Sequence, residues 1–214
     1  GLHLSKSFKI LDIKSFNVNY KNNKKILNKI KLQKDNSKFV IEGESFDASR
    51  MINNIIDNDN NNSSIFESLN SKIKIRIKKT YIDKVNYINN LNGNVDFNNN
   101  KINFLKLESY FPNQKKINLS IETNNKLETI TQLSSDYPKP LIKRYDFIKG
   151  FEEGYLNFYS SKKDGVSNSV LFIDNFKVQE VPIFAKLLSL ASLQGIADLL
   201  TGEGIRFTDF EMNF

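Results

Sequence analysis

A mainly β fold with a few helices, built as an antiparallel meander, is what this sequence predicts. Three observations predict it. Apolar and polar residues alternate with period two along most of the chain. Short breaks rich in Asn and Gly separate the alternating runs. The long crossovers that parallel pairing requires are mostly missing.

The first strands are expected at Phe16, Val18 and Tyr20, which alternate with Ser15, Asn17 and Asn19, then from Ile26 to Leu32 and from Phe39 to Ile41. The clearest case is Lys72-Ile73-Lys74-Ile75-Arg76-Ile77-Lys78, with Ile residues on one face and cations on the other. That is the pattern of a half-buried antiparallel strand. Ile117, Leu119 and Ile121 repeat it against Asn118, Ser120 and Glu122. Further strands are expected over Asn94–Phe97, Ile102–Tyr110, Leu127–Leu133, Gly154–Ser160, Val170–Val178 and Ile205–Phe214. The turns between them fall at Asn22-Asn23, Asn92-Gly93, 98–100, Asn113-Gln114, Asn124-Asn125 and 162–165.

Three helices interrupt the meander. Asp47 is placed to cap the first, whose apolar face is Met51, Ile52, Ile55 and Ile56, with a loop over 57–64 behind it. Pro138 and Pro140 open a short second helix with Leu141, Ile142, Tyr145 and Ile148 on one side, ended by Gly150. The third starts at Pro182, runs to about Leu200 and stops at Gly202. At about 1.5 Å per residue it is roughly 28 Å long. Apolar residues cover most of its circumference, broken by Lys186, Ser189, Gln194 and Asp198. Lys186 and Asp198 count against a bilayer span, because charge near a bilayer centre is costly. A core helix packed on a sheet, or a helix covering an apolar cavity, are the readings left.

Composition bounds the rest. The 214 residues suffice for one good core or two small ones, and 39% hydrophobic residues with 17 Phe are too many for a disordered chain. The net charge of +7 comes from scattered Lys, and heavy use of Asn, Lys and Ile is what AT-rich codons supply. Solvated faces account for it more simply than a nucleic-acid site. The chain has no Cys, so disulfides and thiolate metal sites are excluded. Residues 1–20 show no signal-peptide pattern and lead directly into strand-like sequence at Phe8 and Ile10. This is the expectation for a piece of a larger protein whose targeting segment lies upstream.

Catalytic constellations are not expected. His3 is the only His, so a Ser–His–Asp arrangement has no support. Walker and dinucleotide fingerprints are absent from the sequence. Gly202-Glu203-Gly204 follows a helix, whereas a phosphate cradle precedes one. The acidic pairs Asp57 with Asp59 and Glu152 with Glu153 fall in loop-like sequence and read as solvated surface rather than as glycosidase carboxylates or a cation site. Neither cofactor nor metal is expected.

The stretch 174–207 resembles the C-terminal region of the AsmA-like proteins. Leu187-Leu188-Ser189-Leu190-Ala191-Ser192-Leu193 resembles that family's helix, and Gly202-Glu203-Gly204-Ile205-Arg206-Phe207 the strand that follows it. Upstream, Tyr145-Asp146-Phe147-Ile148-Lys149-Gly150 and Gly154-Tyr155-Leu156 look like its preceding helix, glycine turn and strand, and Gly43-Glu44-Ser45-Phe46-Asp47 is a weaker match. The resemblance implies two regions, a β-groove repeat over 1–136 and an AsmA-like helix-strand-helix-strand region over 137–214. It implies an antiparallel meander curved into a U-shaped apolar groove and closed by the apolar C-terminal helix. It also implies a periplasmic module of an inner-membrane-anchored protein of a Gram-negative bacterium, moving phospholipid towards the outer membrane.

The alternating strands carry the same expectation from another direction. A sheet with one apolar and one cationic face leaves an exposed patch unless something apolar covers it. Each acyl CH₂ moved from water onto such a face gains about 0.8 kcal/mol. The expected partners are phospholipid or another acyl-chain lipid, with an outer-membrane or envelope protein beside it. Ile73, Ile75, Ile77, Ile117, Leu119 and Ile121 are the expected lipid-binding lining, and Phe184, Leu187, Leu188 and Leu193 the helix face that closes it. The alternative is a structural or assembly module that docks a protein through the C-terminal helix. Nucleic-acid binding through Lys72, Lys74, Arg76 and Lys78 is not expected, because aromatics do not interleave the stripe.

Overall fold

The computed structural model of the chain describes residues 2–4, 6, 10–56, 70–145, 148–179 and 204–214. Two short strands, β1 (Leu2–Leu4) and β2 (Ile10–Ile13), pair with each other. The remaining described strands form one eleven-stranded sheet whose spatial order is the order of the chain. Its strands are β3 (Ser15–Lys21), β4 (Leu27–Asp35), β5 (Lys38–Asp47), β6 (Ser71–Tyr81), β7 (Tyr87–Asn98), β8 (Lys101–Tyr110), β9 (Lys116–Thr123), β10 (Thr129–Ser135), β11 (Phe151–Lys163), β12 (Val166–Val178) and β13 (Ile205–Asn213). Helix α1 (Ser49–Ile56) follows β5, and α2 (Lys139–Tyr145) follows β10.

The mainly β, predominantly antiparallel reading holds. One junction differs: β5 and β6 are parallel, with Lys38 opposite Lys72 and Asp47 opposite Tyr81. Two expected elements are corrected. Asn92-Gly93 is not a turn but the middle of β7, where a Cβ on Gly93 would lie 2.2 Å from the Lys106 carbonyl oxygen. Glycine serves close backbone approach here, not chain reversal. Leu127 is not in a strand. It sits in the β9–β10 turn with φ 58°, its N–H bonded to the Asn124 carbonyl, and it is exposed. Glu152 and Glu153 are likewise strand residues of β11, not loop. The helix expected over 182–200 and the loop over 57–64 lie outside the described residues.

The two ends of the sheet differ. At one end the strands are joined by tight turns. Asn99-Asn100 (φ 49° and 63°) joins β7 to β8, and Asp164-Gly165 (φ 51° and 82°) joins β11 to β12. Positive φ at both central residues suits a two-residue hairpin turn. The longer connections, including α1 and α2, leave from the other end, which also holds the core. One cluster gathers Ile142 of α2 with Phe151, Leu156, Leu171, Ile173, Phe176, Val178 and Ile205. Phe176 stacks between Phe151 (5.4 Å) and Phe207 (5.2 Å). A second gathers Ile82, Ile88 and Phe111, with Ile52 of α1 and Tyr137 against them. Phe111 and Tyr137 meet edge to face at 5.3 Å. Such ring pairs add about 0.5–1.5 kcal/mol each beyond area burial.

Polar ties fix this end. The Arg144 guanidinium of α2 donates to the carbonyls of Ile82 (2.5 Å) and Ser49 (3.3 Å), joining the β6–β7 turn to the start of α1. Asp47 accepts the Ser49 N–H (3.0 Å), the capping role its position in the sequence predicts. The same carboxylate accepts from Asn22 (2.7 Å) and Lys24 (3.2 Å) of the β3–β4 turn.

Candidate functional site

In a pleated strand, side chains alternate between faces, and directly paired residues share a face. Applied to the register, this rule places Phe16, Leu32, Ile41, Ile75, Gly93, Leu107, Leu119, Leu133, Phe158, Leu171 and Met212 in one row across all eleven strands. A neighbouring row runs through Val18, Ile30, Gly43, Ile77 and Leu91. On the other side lies Phe39, Ile73, Val95, Leu105, Ile121 and Thr131. The first row of this face is therefore apolar from edge to edge, with Gly93 in its middle, whereas the row of Phe39 begins at Lys34 and passes beyond Ile121 into Thr131, Ser160 and Ser169. Ile77, Val95, Leu105 and Leu171 are buried, most of the rest are half-buried, and Phe16 and Met212 at the two edges are exposed.

The six strand residues singled out from the sequence meet on this face. Ile73 and Ile121 share one row, and Ile75 and Leu119 the next. Ile77 lies opposite Leu91, and Leu91 and Ile117 both pack against the cluster of Ile82, Ile88 and Phe111. Phe184, Leu187, Leu188 and Leu193 lie outside the described residues. Sequence reasoning missed Leu32, Ile41, Leu107, Leu133 and Phe158. Each belongs to an alternating run, and the same period-two signal on neighbouring strands points to them.

The opposite face is mostly polar as far as β11, and carries Tyr159, Val170 and Phe172 towards β12. Asn17, Lys31, Glu42, Arg76, Asn92, Glu108, Asn118, Ser134 and Asn157 form a row there. Its charges are largely matched between strands: Arg76 with Glu42 (3.1 Å), Lys29 with Glu44 (2.9 Å), and Lys72 with Asp96 (3.3 Å). The bond from Lys29, and then its charge, hold the Glu44 carboxyl below the usual range, with Lys78 adding to the effect. The Arg206 guanidinium does the same for Glu153, with Lys177 beside it. Two open clefts, of about 720 and 570 Å³, are lined by residues of both kinds of row, Val18, Ile30, Ile77 and Leu91 in the larger and Leu107, Leu119, Leu133 and Phe158 in the smaller among them. The larger takes in Lys31, Glu42, Arg76 and Lys78, and the smaller Glu108, Asn118, Gln132 and Tyr159.

His3 is in β1, opposite Asp12. Among the described residues no group of His, Cys, Asp and Glu is arranged to hold a metal ion. No described helix is long and apolar enough to cross a membrane. No protein-family model, curated protein or solved structure matches this chain.

Proposed function

We propose that the chain is a non-catalytic lipid-binding module whose apolar sheet face holds acyl chains. The observation that carries this reading is the row of apolar side chains that crosses the main sheet from β3 to β13, interrupted only at Gly93 of β7. An apolar face of this width is large for a soluble protein to leave uncovered. Its lining offers an acyl chain many similar positions in place of one specific pocket, as transport along the face requires. A line of irregularities beside the row supports a bend into a groove. Register breaks occur between Lys29 and Ile30 and between Asn89 and Asn92, and Asn90, Glu153, Gly154 and Asn175 take positive φ. Bulges of this kind bend a strand and raise its twist. In this reading the helix expected over 182–200 would close the groove, and the resemblance of 174–207 to the AsmA-like proteins supports a periplasmic module within a larger inner-membrane-anchored protein that passes phospholipid outward. The cationic stripe of β6 supports a lipid over a nucleic acid, since Lys72 and Arg76 each meet a carboxylate across a strand and Lys78 lies near Glu44.

The test is mass spectrometry of lipids extracted from the purified chain, against a mock purification. Stoichiometric phospholipid is the expected result, and Ile75→Asp and Leu119→Asp reduce it while circular dichroism shows the β fold intact. Lipid-free protein with a closed core favours the assembly role. Normal lipid uptake by both variants removes the apolar face as the site.

A further inference from the structure

The two edges of the main sheet are β3 and β13. We infer that they bind each other between copies of this chain, β3 of one against β13 of the next, in an open head-to-tail assembly. This does not depend on what the apolar face holds.

Backbone geometry comes first. The N–H and C=O of a strand residue point to the same side, and successive residues point to opposite sides. Phe214 exchanges both its bonds with Ser169 (2.8 and 3.0 Å), so Phe214, Met212 and Phe210 turn their backbone groups inward to β12. Asn213, Glu211 and Asp209 turn theirs outward. At the other edge, Lys34 donates to the Lys14 carbonyl (2.9 Å) and Asn22 donates to the Ile26 carbonyl (3.0 Å). The intervening even-numbered residues Phe16, Val18 and Tyr20 therefore face β4, and Ser15, Asn17, Asn19 and Lys21 turn outward. On both edges the outward groups belong to residues of the polar face. Two copies can thus pair edge to edge, make every second backbone bond, and keep their apolar faces on one side. Placing Met212 opposite Phe16 continues the apolar row, with Glu211 opposite Asn17 and Asp209 opposite Asn19.

Charge selects this pairing over two symmetric ones. The β3 edge is cationic, with Lys14 and Lys21 flanking it and Lys31 on the next strand, beside Lys29, whose charge Glu44 meets at 2.9 Å. The C-terminal half of the β13 edge is acidic: Glu211 and Asp209 are exposed, and Asp209 lies directly opposite Asp174 of β12, while Arg206 at the start of the strand is held by Glu153 (2.8 Å). Pairing β3 with a second β3, or β13 with a second β13, sets like charges together. Pairing β3 with β13 puts Lys21 diagonal to Asp209, within reach of a cross-strand interaction. A heterologous contact of this type does not close on itself unless the rotation between copies permits it.

The chain has no cysteine, so introduced thiols are unambiguous. Asn17→Cys and Glu211→Cys, both at exposed positions, are prepared separately and treated with a short thiol cross-linker, alone and mixed. A covalent dimer on mixing, and not from either variant alone, is the expected result. Sedimentation of the unmodified chain provides a reading independent of the variants, with average mass that continues to rise past the dimer with concentration. A dimer from Asn17→Cys alone or Glu211→Cys alone, no dimer on mixing, or a mass that stays at one chain or stops at two overturns the inference.

Discussion

Asp47 shows how much one side chain can hold at the helical end of the sheet. It caps α1 through Ser49 and binds Asn22 and Lys24 of the β3–β4 turn. Burial pushes its carboxyl up, but the bonds from Ser49 and Lys24 outweigh burial and leave it below the ordinary Asp value. Asp83, in the β6–β7 turn, behaves alike: burial raises it, and bonds from Asn86 and Val85 with the nearby Arg144 charge bring it down. A carboxylate with a lowered folded value contributes stability above its unfolded value, and that contribution is lost as pH falls through the folded one. Urea unfolding is therefore expected to show stability falling below about pH 4. Asp47→Ala is expected to cost about 1–2 kcal/mol at neutral pH and to flatten the acid loss. Equal acid slopes in wild type and variant would remove Asp47 from this role.

At the scale of elements, the Gly93 position separates two kinds of glycine. A Cβ there meets the Lys106 carbonyl at 2.2 Å and Leu107 Cδ2 at 2.5 Å, and the carbonyl belongs to the paired strand. Gly93→Ala is expected to destabilise by about 1–3 kcal/mol, because overpacking forces the β7–β8 junction apart. Gly165 has nothing within 4 Å but sits at φ 82°, so Gly165→Ala costs only the backbone strain of about 1–2 kcal/mol and leaves the junction intact. Amide exchange in β7 and β8 separates the two, rising in the first variant and unchanged in the second. The same position shows where the sequence was hard to read. Ile73 to Ile77 announce their strand because alternation continues without a break. In 87–93 the pattern is interrupted by Asn90 in the left-handed region, so Ile88 and Leu91 fall out of phase and Asn92-Gly93 resembles a turn. The lining of β6 and β9 was legible for the same reason that the first half of β7 was not. Which strands neighbour one another is not written in alternation at all, and the parallel β5–β6 pair depends on contacts 34 residues apart in sequence, as between Lys38 and Lys72.

For the whole molecule, stability is distributed unevenly along the strands. The packed clusters around Ile173 (0% exposed) and Phe111 (1% exposed) lie towards the end with the helices, whereas the opposite end consists of hairpin turns with exposed residues. Local opening needs less free energy where fewer apolar contacts are broken. Native-state hydrogen exchange is expected to find the slowest amides in β11 and β12 near Leu156 and Ile173, and fast exchange at 99–100 and 164–165. Uniform protection along β11 and β12 would contradict this gradient.

The single parallel junction has an effect at a distance from β5 and β6. Eleven strands make ten junctions, nine antiparallel and one parallel among the described strands. Each antiparallel junction reverses direction, so ten of them would leave the first and last strands pointing the same way. The one parallel step makes the number of reversals odd, and β3 and β13 point opposite ways. Copies related by simple translation along the sheet therefore offer each other antiparallel edges, with the helical end of every copy on the same side. The crossover after β5 fixes the parity of the sheet, and the parity decides how the sheet can be continued.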